Sequence, residues 1–535
     1  MLSSSKETVK TILGQIPFTA ELYWLIRQRG KPIQSHFSLK SLNENLPQIV
    51  EQALALKKQA ETGKRILIFA TLHYWIEHAT LMGAALAAQG HKVTLGYLPY
   101  SDWRSEINLF DLRRQNAYAR KVLGIAAPLM DAIPFMTSHP VYKPLPEPLQ
   151  KIAEQVSIYD TQYTLQNEEI NTDNNTYQLR LERNKALARY AYQWLRQNRP
   201  DSVIVPNGTI QEFGVFYRVA RLLDIPTVTY EFGDQRKRIW VAQNSEVMRQ
   251  DTAKLWNARK DIPLTEEQTT RLRQLFAARQ RADLWENFAR RWQDQPARGG
   301  EHARTALGLD GRPVVLLATN VLGDSLTLGR QIFSESMAEW ITRTVQYFAG
   351  RPDVQLVIRI HPGEVLTHGV SMEAVVRNVL PTLPEYIHLI GPQEQVNTYD
   401  LVDVADVGLV YTTTVGLEMA LQGLPVIVAG QTHYRERGFT LDPDSWVRFY
   451  KMIGSVLEKP AAFRLTGEQI ELAWRYAYRF FFDFPLPFPW HLVKMWEDYR
   501  QTNLKDVFSA ENFPVYQSTF RYLAGEPIDW KVAEV

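Results

Sequence analysis

The sequence predicts an α/β protein with two Rossmann-like domains that face a cleft. Short, continuous apolar runs alternate with helical segments, a pattern typical of parallel strands covered by helices on both faces of a sheet. The pattern occurs in two separate blocks along 535 residues, a length too great for one hydrophobic core. We therefore expect two α/β domains, together with a helical N-terminal segment, a helical insertion and C-terminal helices.

The first block is expected to span residues 63–295. Two βαβ units are predicted in it, with strands at Arg65–Thr71, 92–97, Ser202–Pro206 and 227–230 and helices at 76–89 and 210–223. Between the two units, residues 104–199 are predicted to form a helical insertion interrupted by prolines. Residues 254–304 are rich in arginine with acidic residues interspersed, which indicates a solvated helical connector.

The second block is expected to span residues 296–470. Its predicted strands are 313–319, 354–360, 386–390, Val407–Val410 and a short run after Pro425, and its predicted helices include 334–348 and 399–404. Residues 471–535 are expected to be helical and aromatic, and their composition permits a return onto the first domain. Residues 1–62 are predicted to be helical and amphipathic. They are expected to pack on the domain that follows, with contact to a membrane surface as the alternative.

Composition excludes several classes of protein. The 60 basic and 58 acidic residues nearly cancel, so the charge indicates no nucleic-acid partner. The absence of cysteine excludes disulfides, thiolate metal sites and cysteine nucleophiles. No apolar run approaches the roughly 20 residues needed to span a bilayer, and the first residues are too polar for a signal peptide. We expect a cytoplasmic protein, at most peripheral at the inner face of the membrane.

A turn of three threonines follows the predicted strand Val407–Val410. We expect Thr412, Thr413 and Thr414 to form the first turn of a helix, where unpaired backbone N–H groups and hydroxyls can hold an anion. Glu418 lies about one turn further on, close enough to accept hydrogen bonds from ligand hydroxyls. A phosphate site beside a site for hydroxyl groups predicts a nucleotide-sugar donor.

A second group of candidates ends neighbouring strands of the same domain. Arg359 and His361 lie in the sequence RIHPGE at a strand end, where the histidine is placed to donate to a departing phosphate oxygen. Arg359 and the threonine turn are expected to converge on the same place. Asn320 and Ser325 follow the first strand of this domain, in a loop that offers backbone N–H groups to phosphate but lacks a complete GxGxxG.

The candidates for the acceptor side lie in the first domain. Glu231 ends the strand at 227–230 and is the predicted base that deprotonates an acceptor hydroxyl, with Asp234 as a rival. Glu212 shares the Glu-Phe-Gly sequence but lies on a helix. His73 and Glu77 follow the first strand on one helix face. Their spacing matches no zincin motif, so we expect no metal site and no cofactor.

Two stretches, RIHPGE (359–364) and the run from Tyr399 to Tyr434, resemble the donor half of GT-B glycosyltransferases, most of all the bacterial capsule polysaccharide biosynthesis proteins. The resemblance covers roughly 75 residues. It implies that His361 and the threonine turn hold the donor phosphate and that Glu418 binds ribose or sugar hydroxyls. The turn is all threonine where the family usually has serine, and both Glu212 and Glu231 fit the family's acidic base loosely.

The resemblance implies a metal-independent glycosyltransferase that moves a sugar from a nucleotide-sugar donor to a glycan or lipid-linked acceptor in surface polysaccharide synthesis. A CMP-sugar donor stays open, because sialyl- and Kdo-type transferases resemble the same pattern. Three alternatives stay open as well: a teichoic-acid-type polyol-phosphate transferase, a sugar-nucleotide 2-epimerase, and a subunit that binds sugar nucleotide without turnover.

Overall fold

A computed structural model describes residues 2–32, 37–58, 60–99, 106, 108–136, 144–285 and 296–531 of the chain. It contains two sheets within these residues. The first sheet is formed by β1 (Arg65–Thr71), β2 (Lys92–Leu98), β3 (Met130–Pro134), β4 (Ser202–Pro206), β5 (Thr227–Glu231), β6 (Arg238–Gln243) and β12 (Leu486–Pro487). The second sheet is formed by β7 (Val314–Ala318), β8 (Gln355–Arg359), β9 (Ile387–Ile390), β10 (Val407–Val410) and β11 (Val426–Val428).

The strand orders are those of two Rossmann-like units. The first sheet runs β12-β6-β5-β4-β1-β2-β3, and the second runs β11-β10-β7-β8-β9. All pairings in the second sheet are parallel, whereas the first sheet ends in the antiparallel pairs β5–β6 and β6–β12. This arrangement confirms the predicted α/β fold class with two tandem parallel sheets.

Helices cover both sheets. Those before the second sheet are α1 (Leu2–Gln15), α2 (Thr19–Ile26), α3 (Lys40–Lys57), α4 (His73–Ala88), α5 (Leu109–Leu123), α6 (Glu147–Leu165), α7 (Asn175–Asn198), α8 (Gln211–Leu222), α9 (Ala253–Arg259) and α10 (Glu266–Gln280). The others are α11 (Gly300–Leu307), α12 (Met337–Ala349), α13 (Met372–Val379), α14 (Thr398–Val404), α15 (Val415–Leu421), α16 (Trp446–Glu458), α17 (Pro460–Phe463), α18 (Gly467–Tyr478), α19 (Met495–Gln501), α20 (Leu504–Val507) and α21 (Phe513–Leu523).

The period-two alternation of β-strands divides the second sheet between two cores. Val314, Leu316 and Ala318 of β7 belong to a large core that also includes the first sheet and the C-terminal tail. Val315 and Leu317 of the same strand face a separate core beneath α12 and α16. Because both faces are buried, β7 requires the continuous apolar run from which it was predicted.

The C-terminal tail returns to the first sheet. Strand β12 pairs with β6, with Leu486 opposite Ile239, and the side chain of Gln235 donates to the carbonyl of Phe481 at 2.8 Å. The C-terminal tail therefore packs back onto the first domain, as its composition permits. Neither β6 nor β12 was predicted, and β3 was missed inside the segment expected to be helical. Strand β3, with sequence MDAIP, is a partly exposed edge strand without a long apolar run.

The arginine-rich segment at 254–304 is not a solvated connector over its described length. Leu272, Leu275 and Phe276 of α10 are buried in the large core. The guanidinium of Arg271 lies 4.5 Å from the ring centroid of Phe482, and Arg279 is buried over Phe481 at 4.6 Å. The planar guanidinium groups of these arginines cover aromatic rings. Composition alone does not distinguish arginines that pack in this way from arginines that are solvated.

The insertion helices contact the second unit directly. The carboxylate of Glu168, just beyond α6, accepts the first backbone N–H groups of α12 from Met337 at 3.1 Å and Ala338 at 2.7 Å. The side chain of Gln166 accepts the N–H of His368 at 2.8 Å. The end of α6 therefore bridges the two units. Among the described residues, no helix combines the length and apolar character needed to cross a bilayer.

Candidate functional site

Three neighbouring strands of the second sheet end beside one another. Thr412 follows β10, Asn320 follows β7 and His361 follows β8, and these strands are adjacent in the order β10-β7-β8. The side-chain oxygen of Asn320 accepts the N–H of Thr412 at 3.1 Å, and the N–H of His361 donates to the hydroxyl of Thr319 at 3.1 Å. These bonds join the threonine turn and the histidine at one edge, as the sequence predicts.

The threonine turn precedes its helix and does not form the first helical turn, which corrects the prediction. Helix α15 begins at Val415 and has only seven residues, with Thr414 at the N-cap and no capping bond from its side chain. A short helix carries a small dipole, so the binding of an anion here depends on the N–H groups and hydroxyls of the turn itself. Within the described part of the chain, the N–H groups of Thr413 and Thr414 donate to no protein acceptor.

The three hydroxyl groups of the turn have different environments. The Thr412 hydroxyl is enclosed and has no hydrogen-bond partner, and the Thr413 hydroxyl accepts the N–H of Val415 at 3.4 Å. Thr414 is partly exposed. The backbone amides of Thr413 and Thr414, together with the Thr414 hydroxyl, are therefore the groups of this turn best placed to meet a phosphate.

The loop after β11 holds the backbone of the threonine turn in place. The Tyr434 hydroxyl donates to the carbonyl of Thr413 at 2.6 Å, and the Thr432 hydroxyl donates to the carbonyl of Thr412 at 3.3 Å. Gly416 allows the first contact, because a Cβ at this position would overlap the Tyr434 hydroxyl. The backbone of the turn is thus fixed by its carbonyls, which orients the adjacent N–H groups.

The ring of His361 is oriented by the backbone of the turn that follows it. Its Nδ1 accepts the N–H of Gly363 at 3.0 Å, so the neutral ring carries its proton on Nε2. His361 is partly exposed, and its Nε2–H is a donor suited to a phosphate oxygen. The abrupt departure of the chain at Pro362, predicted from the sequence, is the first turn of a 3-10 helix for which His361 is the N-cap.

Arg359 turns away from the threonines. Its Nη1 donates to the carbonyl of Gly391 at 2.6 Å, at the end of β9, which lies on the opposite side of β8 from β7 and β10. The expected convergence of Arg359 with the threonine turn is therefore not seen. Burial lowers the pKa of Arg359 to about 10, and its Nε has no hydrogen-bond partner.

Glu418 is buried and bound through both carboxylate oxygens. Arg279 of α10 donates to Oε1 at 2.7 Å, and the hydroxyl of Tyr399 donates to Oε2. An ionised carboxylate offers about four acceptor positions, so these two bonds leave capacity for ligand hydroxyls. Sequence reasoning did not identify Arg279 or Tyr399 as partners.

The loop after β7 does not form a phosphate cradle. The N–H of Leu326 donates to the Asp324 carboxylate at 2.9 Å, and the N–H of Thr327 donates to the Asp324 carbonyl at 2.8 Å. The Ser325 hydroxyl lies 3.5 Å from the same carboxylate. Because these N–H groups close internal turns around an acidic side chain, the predicted phosphate role of Ser325 loses its support, whereas Asn320 keeps a place beside the turn.

The carboxyl edge of the first sheet carries Glu231. The side-chain amide of Asn207, after β4, donates to Oε2 at 3.1 Å, and the N–H of Phe232 donates to Oε1 at 3.1 Å. Asn207 is held in this orientation because its own oxygen accepts the N–H groups of Thr209 and Ile210. Burial raises the pKa of Glu231 to about 7, and the two hydrogen bonds oppose this shift.

Two tyrosines of the first unit lie near Glu231. The charge of Glu231 helps to raise the pKa values of Tyr74, on α4, and Tyr163, on α6, although burial is the largest cause for both. Tyr163 also senses the charge of Asp324 from the second unit. The loop after β7 also packs on α6, since a Cβ at Gly323 would overlap the carbonyl of Gln162. The carboxyl edges of the two sheets therefore approach each other at the end of α6, as predicted for the fold. The two tyrosines and Asp324 were not among the predicted site residues.

The first turn of α4 begins with strained backbone at this edge. Leu72, between β1 and α4, has φ 64° and ψ 139°, a region that residues other than glycine rarely adopt. His73 follows and is partly exposed, with ring contacts to Phe37 at 6.4 Å and Tyr74 at 5.3 Å. His73 thus lies at the cleft edge as predicted, next to one of the tyrosines that sense Glu231.

Glu77 does not line the cleft. Its carboxylate is buried and accepts the N–H of Leu42 at 3.2 Å and the indole N–H of Trp496 at 2.9 Å. These bonds link α4 to α3 and to the C-terminal tail. Glu77 is therefore not positioned to contact an acceptor, because both of its carboxylate oxygens accept hydrogen bonds between packed helices. Burial raises the pKa of Glu77 to about 7.

Glu212 and Asp234 interact with different charged groups. Glu212 is buried in the first turn of α8, close enough to Asp160 to help raise the pKa of that carboxyl, and Asp160 pairs with Arg180 at 3.0 Å. Asp234 follows β5 and acts electrostatically on Arg279 and His491. His73 therefore remains next to Tyr74, and Asp234 remains a rival base three positions after Glu231, whereas Glu77 and Glu212 are buried within the first unit. Among the described residues, no three His, Asp or Glu side chains cluster suitably for a metal ion.

No protein-family model matches the chain, and no curated protein matches it. Similar solved structures include the KpsC beta Kdo 2,4 transferase of Thermosulfurimonas dismutans, at 17% identity over 51% of this chain and 78% of that one, with a TM-score of 0.34. The UDP-GlcNAc 2-epimerase of Neisseria meningitidis bound to UDP-GlcNAc is 12% identical over 78% and 99%, with a TM-score of 0.25.

A third similar structure is the glycosyltransferase SsfS6 of Streptomyces sp. SF2575 in complex with thymidine diphosphate. It is 12% identical over 78% of this chain and 96% of that one, with a TM-score of 0.22. Transferases and an epimerase thus occur side by side among the similar structures. Likenesses at these identities and TM-scores assign no activity, substrate or acceptor to this chain.

Proposed function

We propose that the protein is a glycosyltransferase that moves a sugar from a nucleotide-sugar donor to a hydroxyl of a glycan or lipid-linked acceptor. One observation carries the proposal: the threonine turn and His361 end strands at one edge of the second sheet, and Glu418 lies on the helix that leaves this turn. The turn offers unused N–H groups to a phosphate, and Glu418 retains acceptor positions for hydroxyls. The same edge thus suits a ligand that carries both.

The reaction joins the acceptor oxygen to the anomeric carbon while the bond from that carbon to the phosphate oxygen breaks. Glu231 takes the proton from the acceptor hydroxyl, and its pKa of about 7 leaves a large fraction ionised near neutral pH. The Nε2–H of His361 and the amides of Thr413 and Thr414 stabilise the charge that develops on the leaving phosphate. In this scheme the chain's own donors neutralise the leaving group, which supports a metal-independent reaction.

A panel of nucleotides and nucleotide sugars tests the donor class by thermal shift. The panel contains UDP-, GDP-, dTDP- and CMP-linked sugars, and a donor at about 100 times its Kd stabilises the protein by about 2.7 kcal/mol. We expect one nucleotide class to raise the melting temperature of the wild type. His361→Ala should bind the same donor and lose transfer, whereas His368→Ala, at an exposed position outside the edge, should retain both.

The same panel, extended with CDP-linked polyols, separates the alternative reactions. Conversion of the nucleotide sugar without an acceptor would identify an epimerase, and release of CMP from CDP-polyols would identify a polyol-phosphate transferase. Binding with no turnover in any combination would identify a binding subunit. If no member of the panel raises the melting temperature, the donor site proposed at the threonine turn does not exist.

A further inference from the structure

The N-terminal helices carry an unusual density of exposed apolar side chains. Eight large apolar residues between positions 9 and 26 are exposed, among them Phe18 at 73% and Ile26 at 67%. Elsewhere in the described chain the densest such group has three members, Val365, Leu366 and Val370. We call this set the apolar face: Val9, Ile12, Ile16, Phe18, Leu22, Tyr23, Leu25 and Ile26. Contiguous exposed apolar surface of this kind marks a contact site.

The apolar face lies opposite the side by which these helices are already packed. Gly14 of α1 lies against the backbone of Phe110, and Lys10 pairs with Asp111 at 3.1 Å, both at the start of α5. In α2, Ala20 and Trp24 are buried one turn apart. Tyr23 borders the packed side, because its ring centroid lies 5.5 Å from that of Phe110. The other seven residues of the apolar face are the ones left uncovered, although the predicted packing of this segment on its own domain is present.

Charge around the apolar face is cationic. Arg27, Arg29 and Lys31 are exposed and follow directly after α2. The two acidic residues of the same helices are neutralised, Glu7 by Lys10 at 3.0 Å and Glu21 by Arg113. An apolar face next to unopposed basic side chains is complementary to a surface that is apolar inside and negatively charged outside.

The location also places this surface near the cleft. Helix α5 connects β2 to the parallel strand β3, so its first residues lie at the carboxyl edge of the first sheet. Glu231 ends β5 at the same edge, three strand spacings from β2, or ~14 Å across the sheet. A contact made through α1 and α2 therefore keeps the cleft close to the contacted surface.

We propose that α1 and α2 dock the protein on a bilayer of anionic phospholipid, with the apolar face in the interface and the basic residues against the headgroups. The helices lie in the plane of the membrane and do not cross it. This inference goes beyond the proposed enzymatic function and does not depend on it, because docking needs neither donor nor acceptor.

Sedimentation of the full chain with vesicles tests the proposal in the absence of nucleotide sugar. The probes are vesicles of phosphatidylglycerol mixed with phosphatidylcholine, and vesicles of phosphatidylcholine alone. We expect binding to the anionic vesicles that falls at high salt. The triple variant Ile12→Ser, Leu22→Ser, Leu25→Ser should bind at least about tenfold more weakly. Arg27→Gln with Arg29→Gln should weaken binding to anionic vesicles only.

The control variant replaces exposed apolar residues outside the apolar face, Val447→Ser with Val493→Ser, and should bind like the wild type. Unchanged melting temperatures show that each variant is folded. Equal binding by the wild type and the triple variant, or no binding to anionic vesicles, would overturn the proposal. It would also be overturned if the triple variant converted a dimer to a monomer in light scattering without changing vesicle binding, because the apolar face would then join two copies of the chain.

Discussion

Arg279 and the buried Glu418 form a largely enclosed ion pair, with Nη1 2.7 Å from Oε1, although 139 positions separate them in the chain. The arginine comes from α10 and the glutamate from the helix that follows the threonine turn. The pair therefore ties the segment between the two sheets to the proposed donor site. It also fixes the carboxylate that the proposal assigns to ligand hydroxyls.

Replacing Arg279 by methionine should destabilise the protein by about 3–5 kcal/mol, because Glu418 would remain as a buried carboxylate without its cation. The free energy of unfolding in urea measures the effect. Adding Glu418→Gln to the same variant should recover part of the loss, since it removes the unpaired charge. Arg281→Met is the matched control: its pair with Asp283 is exposed and should cost less than about 1 kcal/mol. An equal effect of both arginine variants would refute the assigned pairing.

Gly416→Ala should weaken donor binding without touching the donor. The new Cβ would displace the Tyr434 hydroxyl from the Thr413 carbonyl and release the turn, which the donor must then re-order on binding. A re-ordering cost of about 1 kcal/mol weakens the affinity about fivefold. Isothermal titration with the nucleotide found by thermal shift measures the change. Gly454→Ala adds a Cβ that meets nothing within 4 Å and should leave affinity unchanged. Unaltered binding by Gly416→Ala would show that the turn's geometry is irrelevant to the donor.

The pH profile of transfer should report Glu231. As a base it must be ionised, so kcat/KM should fall as the pH drops below about 7. The hydrogen bond from Asn207 favours the ionised form, and Asn207→Ala should therefore move this acidic limb to higher pH. A profile that is identical in the wild type and Asn207→Ala would assign the limb to a different group.

The raised pKa of Glu231 also makes the free energy of unfolding depend on pH. The pKa of Glu231 in the folded protein lies above its ordinary value of 4.5, so the folded state binds more protons than the unfolded state between pH 4.5 and 7. This carboxyl therefore stabilises the fold most below pH 4.5, and its contribution is lost as the pH rises through 7. Glu231→Gln should flatten that part of the dependence of unfolding free energy on pH.

Glu77→Ala should lower the stability of the protein and leave the transfer rate unchanged, the reverse of what a catalytic variant does. It removes the acceptor of two buried N–H groups, from Leu42 and Trp496, at a cost of about 1–3 kcal/mol for each unsatisfied group. The melting temperature should fall, whereas the rate of transfer per folded molecule should stay unchanged. A large loss of rate at unchanged stability would restore Glu77 to the acceptor site.

Much of the fold could be predicted because strands buried on both faces need continuous apolar runs. That signal located β1, β4 and β10, and the carboxyl-edge rule then brought Thr412 and His361 together. The same signal is absent from β3 and β12, which are short strands at the edges of the sheet. Their pairing depends on segments far away in the chain, and local periodicity does not report it.

The side chains of the site were harder to predict for a related reason. Glu77 and Glu231 are both acidic residues that follow strands of the first sheet, and only the contacts of Glu77 with Leu42 and Trp496 distinguish them. Arg359 was placed at the correct strand end, but its direction depends on the carbonyl of Gly391. Strand position could be read from the sequence, whereas the partner of each side chain is set by tertiary contacts.

Single-turnover transfer measured over a range of donor concentrations decides whether Glu231 is the base, because it yields the maximum rate and the apparent donor Kd together. For Glu231→Gln at pH 8, we expect a maximum rate ~10²- to 10⁴-fold below the wild type and a Kd within about threefold of it. A rate within tenfold of the wild type would contradict the assignment of Glu231 as the base. Loss of donor binding in proportion to rate would contradict its placement on the acceptor side.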